Sequence, residues 1–224
     1  MVSFQHRSMP TRTNNGNGVI GANFECKTAV ALSDGSKIES PKFLSQAQDQ
    51  IRQLSKQHRR KRKPQKRKVK ASRRWRKAQS QVRKVKRRVK NQRHHWTYQV
   101  AADITDCHSI VVTEKINLKG MTCKAKIGKR KAQKTGLNRS LLDVEIGMLK
   151  DAIQYKLLEG NGFLIHIPTR KLKPIQRCAK CWELTPKILS DRLHVCSNPD
   201  CGHVEDRDVN SAQVCEIYSC RHGS

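Results

Sequence analysis

The chain of 224 residues carries 47 Lys and Arg against 18 Asp and Glu, which gives a formal net charge of +29. Its length predicts one core domain with at most a small second module, and its hydrophobic content of 36% is too high for a wholly disordered protein. No run of about 18 apolar residues is present that would cross a membrane, and the first 18 residues lack the apolar segment of a secretory signal. We therefore expect a soluble cytoplasmic protein without a membrane partner.

The N-terminal part of the chain predicts a lead and a small group of strands. The first 18 residues are polar and end in a run of Asn and Gly, which is typical of a flexible lead. Segments 19–25 and 28–32 have the apolar composition of strands, and a Ser-Asp-Gly-Ser turn at 33–36 precedes a short third one. We predict a three-stranded meander.

Positive charge is concentrated between positions 50 and 102, where 22 Lys and Arg occur without a single Asp or Glu. Apolar residues fall at helical spacing before and after Pro64, so we predict a basic helical hairpin over residues 44–104. Such a segment repels itself unless a polyanion neutralises it, which predicts nucleic-acid binding through phosphates. A solvated helix face would mix both signs of charge, and a membrane-bound segment would expose more apolar surface. The predicted binding residues are Arg59, Arg60, Lys61, Arg62, Lys63, Lys66, Arg67, Lys68, Arg73 and Arg74.

The second half of the chain alternates strand and helix patterns. An Ile-Val-Val run predicts a buried strand at 109–116, and the polar segment 119–136 predicts a loop. Asn138 is predicted to cap a helix that ends at Gly160, and residues 163–167 are predicted to form another buried strand. The apolar stripe of that helix consists of Leu142, Ile146, Leu149, Ile153 and Leu157. This order of elements predicts an α/β fold with strands buried on both faces.

Cysteine spacing is the strongest local signal for a metal. Two residues separate Cys178 from Cys181, four separate Cys196 from Cys201, and fourteen separate the two pairs. Four thiolates from two short loops satisfy tetrahedral Zn²⁺, and a small insert can fold around such an ion. Disulfides are the alternative, which a cytoplasmic location disfavours. We predict one structural zinc site.

Three acidic residues form a second candidate site. Glu114 ends a predicted buried strand, and Asp206 and Asp208 lie just after the cysteine-rich segment, where we predict the start of a short helix. Acids that converge from separate strand ends are what two Mg²⁺ ions need for phosphodiester hydrolysis. Taken singly, each acid has a simpler explanation as a surface carboxylate or a helix cap.

Several motifs together resemble one protein family. They are LSDGSKI with SPKFL, the long Lys/Arg-rich hairpin, IVVTEKINLKGM, GLNRSLLDV, KPIQRCAKC and CGHVEDRDVNSAQV, in that order from about Val19 to the end of the chain. They resemble the C-terminal part of TnpB (OrfB-type) proteins, the transposon-encoded RNA-guided nucleases related to type V CRISPR effectors. The resemblance implies an RNase H-like (RuvC-like) core with an inserted zinc ribbon, and it implies DNA and a guide-type RNA as partners.

The resemblance also assigns site residues, with one departure. Glu114 and Asp208 match two catalytic acids of the family, with Asp206 as a neighbour. The family's first strand reads approximately Gly-Ile-Asp-Leu-Gly, and a gap-free alignment places Asn23 at the position of its Asp. Asn keeps a carbonyl oxygen but lacks the negative charge that offsets Mg²⁺. Glu25, two residues further on, points to the same face of the strand and could in principle substitute, but its longer side chain starts from a displaced Cα.

The resemblance implies the following division of the chain: a lead at 1–18, RuvC-like strands at 19–43, the basic hairpin at 44–104, further core at 105–172, a zinc-ribbon insert at 173–205, and the last RuvC-like motif with the C-terminal tail at 206–224. The family's N-terminal β-barrel and helical lobe have no counterpart before Val19. We therefore expect a truncated, prokaryotic, nucleoid-associated TnpB-like protein that binds nucleic acid and cleaves weakly or not at all. An active Mg²⁺-dependent endonuclease or transposase accessory protein, and a non-cleaving DNA- or RNA-binding regulator, are the alternatives.

Overall fold

A computed structural model describes residues 16–64, 69–123, 131–188 and 190–222. The chain divides into two compact units: residues 1–40 together with 98–224, and residues 41–97. Within the described residues, no helix is long and apolar enough to span a lipid bilayer.

The first unit is built on a five-stranded mixed sheet with the strand order β3-β2-β1-β4-β5. Its strands are β1 (Gly18–Phe24), β2 (Thr28–Leu32), β3 (Lys37–Glu39), β4 (His108–Glu114) and β5 (Phe163–Ile167). The first three form the predicted meander of antiparallel pairs, while β1–β4 and β4–β5 are parallel pairs. The predicted mixed α/β architecture is therefore present.

Along the chain, the helices of the first unit come between the strands of the sheet and after them. They are α3 (Leu118–Met121), α4 (Lys131–Val144), α5 (Ile146–Glu159), α6 (Thr169–Leu172) and α7 (Arg207–His222). Helix α7 approaches β1 so closely that a Cβ atom on Gly21 would lie 1.9 Å from the carbonyl oxygen of Ala212. Only glycine permits this approach, which carries the first turns of α7 to the sheet.

The second unit contains α1 (Phe43–Arg59) and the first part of the long helix α2 (Arg73–Cys107), which ends in the first unit. The predicted helices on either side of Pro64 are thus present. The ring centroids of His58, near the end of α1, and Trp75, near the start of α2, are 4.9 Å apart. This contact holds the facing ends of the two helices together.

The predicted helix with its cap at Asn138 is wrong in two respects. Helix α4 begins at Lys131, inside the predicted loop, so Asn138 lies within the helix and its side-chain amide donates to the carbonyl oxygens of Thr122 and Cys123. Glu145, with φ 53°, then separates α4 from α5. Because the helix is interrupted there, Leu142 faces outward and is 57% exposed, whereas Ile146 is buried.

The prediction that residues 163–167 form a buried strand is also wrong. The strand exists as β5, but it is the edge strand of the sheet and only Ile167 is buried in it. Phe163 is 64% exposed. An apolar run alone does not distinguish a central strand from an edge strand whose side chains remain exposed.

A two-stranded antiparallel hairpin, β6 (Leu193–Val195) with β7 (Val204–Asp206), lies within the cysteine-rich segment and leads directly into α7. The helix that follows Asp206 is 16 residues long, and the prediction of a short helix is therefore wrong. Its length lets buried Val214 and Cys215 pack against Val112 of the interior strand β4.

Candidate functional site

Two parallel strands and one helix bring together the predicted acidic site. In the β1–β4 pair Ala22 is opposite Thr113, so the next residues, Asn23 and Glu114, lie side by side at the carboxyl ends of their strands. Helix α7 begins nearby and contributes Asp208 from its first turn. All three side chains are buried, with exposed fractions of 6 to 8%.

Asn23 and Asp208 are joined by a direct hydrogen bond. The Nδ2 atom of Asn23 donates to Oδ1 of Asp208 over 3.2 Å. Arg207, also buried, donates to the same oxygen from Nε and Nη2 over 3.2 and 3.1 Å, and Nη2 lies 3.4 Å from Oδ2. The carboxylate of Asp208 is therefore hydrogen-bonded to both an amide and a guanidinium.

Glu114 has a different environment. It accepts a hydrogen bond from the Ser211 hydroxyl over 3.3 Å. Burial raises the pKa of the Glu114 carboxyl, and hydrogen bonding to Ser211 and Thr169 and the ammonium of Lys150 offset part of that rise. Lys150 donates to the backbone carbonyl oxygen of Glu114 over 3.2 Å. Glu114 is thus a buried acid that accepts from a hydroxyl, whereas Asp208 accepts from a guanidinium.

Asp206 caps helix α7. Its Oδ1 atom accepts from the backbone N–H groups of Asp208 and Val209, and its Oδ2 atom lies 2.6 Å from Nζ of Lys37. Burial alone would raise the pKa of Asp206, but the bonds to Lys37 and to the two backbone N–H groups lower it below its ordinary value. These contacts are those of a helix cap.

Glu25 lies just beyond the end of β1 and is held by cations. Its Oε2 atom lies 3.5 Å from Arg192 and 3.9 Å from Arg207, and its Oε1 atom accepts from the backbone N–H of Thr28. Its carboxylate therefore contributes to the neutralisation of Arg207.

A divalent-metal site for catalysis does not fit these residues. Two carboxylates remain where the resemblance implies three, and one of them is bonded to an amide and a guanidinium. Among the described residues, the only group of three or more Cys, His, Asp or Glu side chains close enough to hold a metal ion is the cysteine cluster. Two Mg²⁺ ions repel each other, so two acids hold such a pair more weakly than three.

The cysteine cluster meets the requirements of a metal centre. The sulfur atoms of Cys178, Cys181, Cys196 and Cys201 all lie within 4.8 Å of one another. The distances are 3.8 Å from Cys178 to Cys201 and 3.4 Å from Cys181 to Cys196, too long for disulfides. Zn–S bonds of about 2.3 Å in a tetrahedron place sulfurs roughly 3.8 Å apart, so the spacing fits zinc. Burial raises the pKa of the Cys178 thiol to about 12, so metal binding must displace its proton.

The described part of the basic segment forms a cation-lined cleft in the second unit. A cavity of about 330 Å³ is bordered by Arg60 and Lys61, which follow α1, and by Arg74 and Lys77 of α2, with no acidic residue at its edge. Arg59, Arg62, Lys63 and Arg73 lie in the adjoining described residues, while Lys66, Arg67 and Lys68 lie outside them. The cleft can take a phosphate group by charge.

Arg207 and Ser211 are site residues that the sequence reasoning did not identify. Each contacts a candidate catalytic acid, Arg207 through Asp208 and Ser211 through Glu114. Helical periodicity contains a usable signal, since positions 208 and 211 share a face of α7. The sequence contains no such signal for Arg207, because a basic residue at this position is ordinarily expected to lie on the surface.

Comparisons with known proteins agree with this architecture. A family model described as a probable transposase, OrfB_IS605, matches residues 3–125, and a model of the TNB domain of Cas12f1-like proteins matches residues 147–215. A cryo-EM structure of a Cas12f1–sgRNA–target DNA complex is similar in fold, with a TM-score of 0.55 at 15% identity. The similarity covers 92% of this chain and 40% of the Cas12f1 chain, so this chain spans less than half of that neighbour.

A comparison with curated proteins gave no match. The transposase model nevertheless covers more than half of the 224 residues, from the N-terminal strands through the basic helices to β4. The resemblance to TnpB and OrfB proteins that the motifs predicted is thereby confirmed. The chain belongs to the OrfB_IS605 family of probable transposases.

Proposed function

We propose that this chain is a TnpB-like, transposon-associated nucleic-acid-binding protein, derived from an RNA-guided DNA endonuclease, in which cleavage is weak or lost. The observation that carries the proposal is the hydrogen bond from Asn23 to Asp208, because it puts an amide donor where a metal-binding acid is expected. The Cas12f1 neighbour, solved with an sgRNA and target DNA, supports DNA and a guide-type RNA as partners.

The proposed architecture follows the division made from the sequence. Segments 19–43, 105–172 and 206–224 form an RNase H-like, RuvC-like core, residues 44–104 form the basic hairpin, and residues 173–205 form a zinc ribbon. The parallel pairing of β1 with β4 and the packing of α7 against both support the core assignment. The four-cysteine cluster beside the β6–β7 hairpin supports the ribbon.

Each part has a separate chemical task. Zinc, when bound by the four thiolates, supplies the folding energy of a segment with little apolar core. The cations of the second unit neutralise phosphates, and nucleoid association follows from that charge. In the carboxylate cluster, which consists of Asn23, Glu114 and Asp208, Asn23 and Arg207 fix the position of the Asp208 side chain and Ser211 positions Glu114.

An active Mg²⁺-dependent endonuclease is the second candidate. The observation in its favour is that Glu114 and Asp208 are both buried near the start of α7. Asp208 lies in the first turn of this helix, and Glu114 accepts a hydrogen bond from Ser211. Two acids with an Asn carbonyl oxygen provide a weaker ligand set for one hard cation.

The test measures binding and cleavage on the same preparation. Zinc-loaded protein is titrated into fluorescein-labelled single-stranded DNA, RNA and duplex DNA at several salt concentrations, and cleavage is followed with Mg²⁺ or Mn²⁺. We expect salt-sensitive binding with little sequence dependence, RNA bound at least as well as duplex DNA, and no cleavage above that of Asp208→Ala.

A matched variant assigns the binding surface. Replacement of the five cations at positions 59–63 by Gln should weaken binding at least tenfold at low salt and reduce the slope of log affinity against log salt. Affinity that is insensitive to salt would contradict the proposal. Metal-dependent cleavage that Asp208→Ala abolishes would establish the endonuclease instead.

A further inference from the structure

The side chain of Asn210 connects helix α7 to the cysteine-rich segment. Asn210 lies near the start of α7 and is completely buried. Its Oδ1 atom accepts from the backbone N–H of Ala179 over 3.0 Å, and its Nδ2 atom donates to the backbone carbonyl oxygen of Arg177 over 2.7 Å. One amide therefore holds both chain neighbours of Cys178, a member of the cysteine cluster.

The carboxylate cluster depends on the same part of α7. Asp208 precedes Asn210 by two positions and accepts a hydrogen bond from Asn23. Ser211 follows Asn210 directly and donates to Glu114. Residues this close together in a helix belong to one turn of hydrogen-bonded backbone. The position of this turn therefore determines both contacts.

Arg207 supplies a second connection between α7 and the cysteine-rich segment. Its backbone N–H donates to the carbonyl oxygen of Arg192, and its Nη1 atom donates to that of Asp191, both over 2.9 Å. These two residues directly precede β6, the strand that leads to Cys196. The same guanidinium donates to Asp208 from Nε and Nη2. The start of α7 is thus bonded to the chain near each of the two cysteine pairs.

Local opening of the cysteine-rich segment would remove the partners of Asn210. Zinc, when bound by the four thiolates, cross-links the two cysteine pairs and opposes such opening. In the open segment, the backbone groups of Arg177 and Ala179 no longer reach the amide. A buried amide without partners is costly, so the start of α7 opens to water together with the segment.

We propose that zinc binding at the cysteine cluster controls the order of the carboxylate cluster, and that Asn210 is the positioning residue that transmits this effect. The inference rests on the zinc site of the proposed function and is independent of nucleic-acid binding and of cleavage. Zinc binds the state in which the segment is closed and Asn210 is bonded, so it shifts the population towards an ordered start of α7.

Hydrogen exchange of the unmodified chain tests the coupling without a variant. Zinc-loaded protein is compared with reduced protein from which a chelator has removed the zinc, and exchange is followed by mass spectrometry of peptides. Residues 207–212 should exchange about tenfold faster without zinc, because opening leaves the buried amide of Asn210 unpaired. Exchange in α5 should not change. An equal increase in α5, or unchanged exchange at 207–212, would overturn the inference.

Asn210→Ala distinguishes a positioning residue from a merely structural one. The variant should still bind one zinc ion, but zinc should change the exchange of residues 207–212 less than about twofold. Asn210→Asp retains the acceptor for Ala179 and loses the donor to Arg177, so its zinc dependence should be intermediate. The control is Gln213→Ala, which removes another amide of α7 that donates to the carbonyl oxygen of Ser33. It should retain the full zinc dependence.

Zinc content, measured on the same samples, separates this inference from the proposed function. If the unmodified chain binds no zinc, both the zinc ribbon and the coupling are overturned. If Asn210→Ala and Asn210→Asp bind zinc and keep the zinc dependence of the unmodified chain, only the role of Asn210 is overturned.

Discussion

The cysteine cluster and the carboxylate cluster are two candidate metal sites in one unit. They differ in whether protein groups are already bonded to their potential metal-binding atoms. Four sulfurs lie within 4.8 Å of one another in the first. In the second, the Asp208 carboxylate already accepts hydrogen bonds from Asn23 and Arg207. Four sulfurs in this arrangement can bind a metal ion, whereas the Asp208 carboxylate is already bonded to an amide and a guanidinium.

The same comparison distinguishes the requirements of a structural metal site from those of a catalytic one. A structural zinc site needs only its four ligands, so it can persist when catalysis is lost. A catalytic two-metal site needs every acid, because each missing charge increases the repulsion between the cations. Under the proposed function, Asn in place of Asp at position 23 affects the carboxylate cluster and leaves the cysteine cluster unchanged. The following variants test that separation, from the largest expected effect to the smallest.

Removal of two sulfurs should have the largest effect. Cys178→Ser with Cys196→Ser takes one ligand from each pair, so zinc should fall from one ion per chain to near zero. The segment around β6 and β7 should then lose its protection from proteolysis. Elemental analysis and limited digestion measure both outcomes. Cys123→Ser with Cys220→Ser, which changes two exposed cysteines outside the cluster, is the control. Unchanged zinc content in the first variant would show that other residues bind the ion.

Loss of the buried guanidinium should come next. Arg207→Gln leaves Asp208 buried without its cation and should lower the free energy of unfolding by about 3 kcal/mol. The matched change, Lys37→Gln, breaks the more exposed pair with Asp206 and should cost less than about 1 kcal/mol. Urea denaturation of the zinc-loaded protein distinguishes the two. Equal losses would mean that Arg207 does not stabilise Asp208.

Restoration of the acid at position 23 should destabilise the metal-free protein. Asn23→Asp replaces a donor 3.2 Å from Asp208 with a second carboxylate, and the lost bond and the repulsion should together cost about 2 kcal/mol. Mn²⁺ should recover part of that stability in this variant and none in the unmodified protein. Thermal unfolding with and without Mn²⁺ is the measurement. An increase in melting temperature for Asn23→Asp without metal would exclude the hydrogen-bonded arrangement.

The ionisation of Glu114 should have the smallest effect, and a pH-dependent one. Burial raises the pKa of this carboxyl, so the unfolded chain ionises first as the pH rises, and the folded state loses stability up to the folded pKa. Glu114→Gln removes this loss and can still accept the bond from Ser211. Its stability relative to the unmodified protein should therefore increase between pH 4 and pH 7 in urea denaturation. A difference that is constant over this range would contradict the raised pKa.

The sequence predicts the parts of the fold that depend on local pattern. The meander, the strand ending at Glu114 and the helices on either side of Pro64 are all present because spacing and turn residues determine them. The exposure of β5 was not predictable, since its position at the edge depends on strand order rather than composition. The break at Glu145 was likewise hidden, because a left-handed glutamate has no sequence signature.

The candidate site shows the same division. Cysteine spacing is sufficient to predict the cluster, and the family motifs are sufficient to select Asn23, Glu114 and Asp208, which the structure brings to one end of the sheet. The hydrogen bonds that Asn23 and Arg207 donate to Asp208 could not be predicted, because they depend on three-dimensional contacts. Asn23 and Asp208 are 185 positions apart in the sequence. Partner choice at this distance in sequence depends on tertiary packing, which periodicity does not encode.

Metal titration of the unmodified protein tests the central claim most directly. Zinc-loaded chain is titrated with Mn²⁺ as a probe for Mg²⁺, and bound metal is measured by electron paramagnetic resonance alongside zinc content. The account predicts one zinc per chain and no saturable Mn²⁺ site that depends on Asp208. A saturable Mn²⁺ site in the unmodified protein, lost in Asp208→Ala with zinc retained, would contradict it.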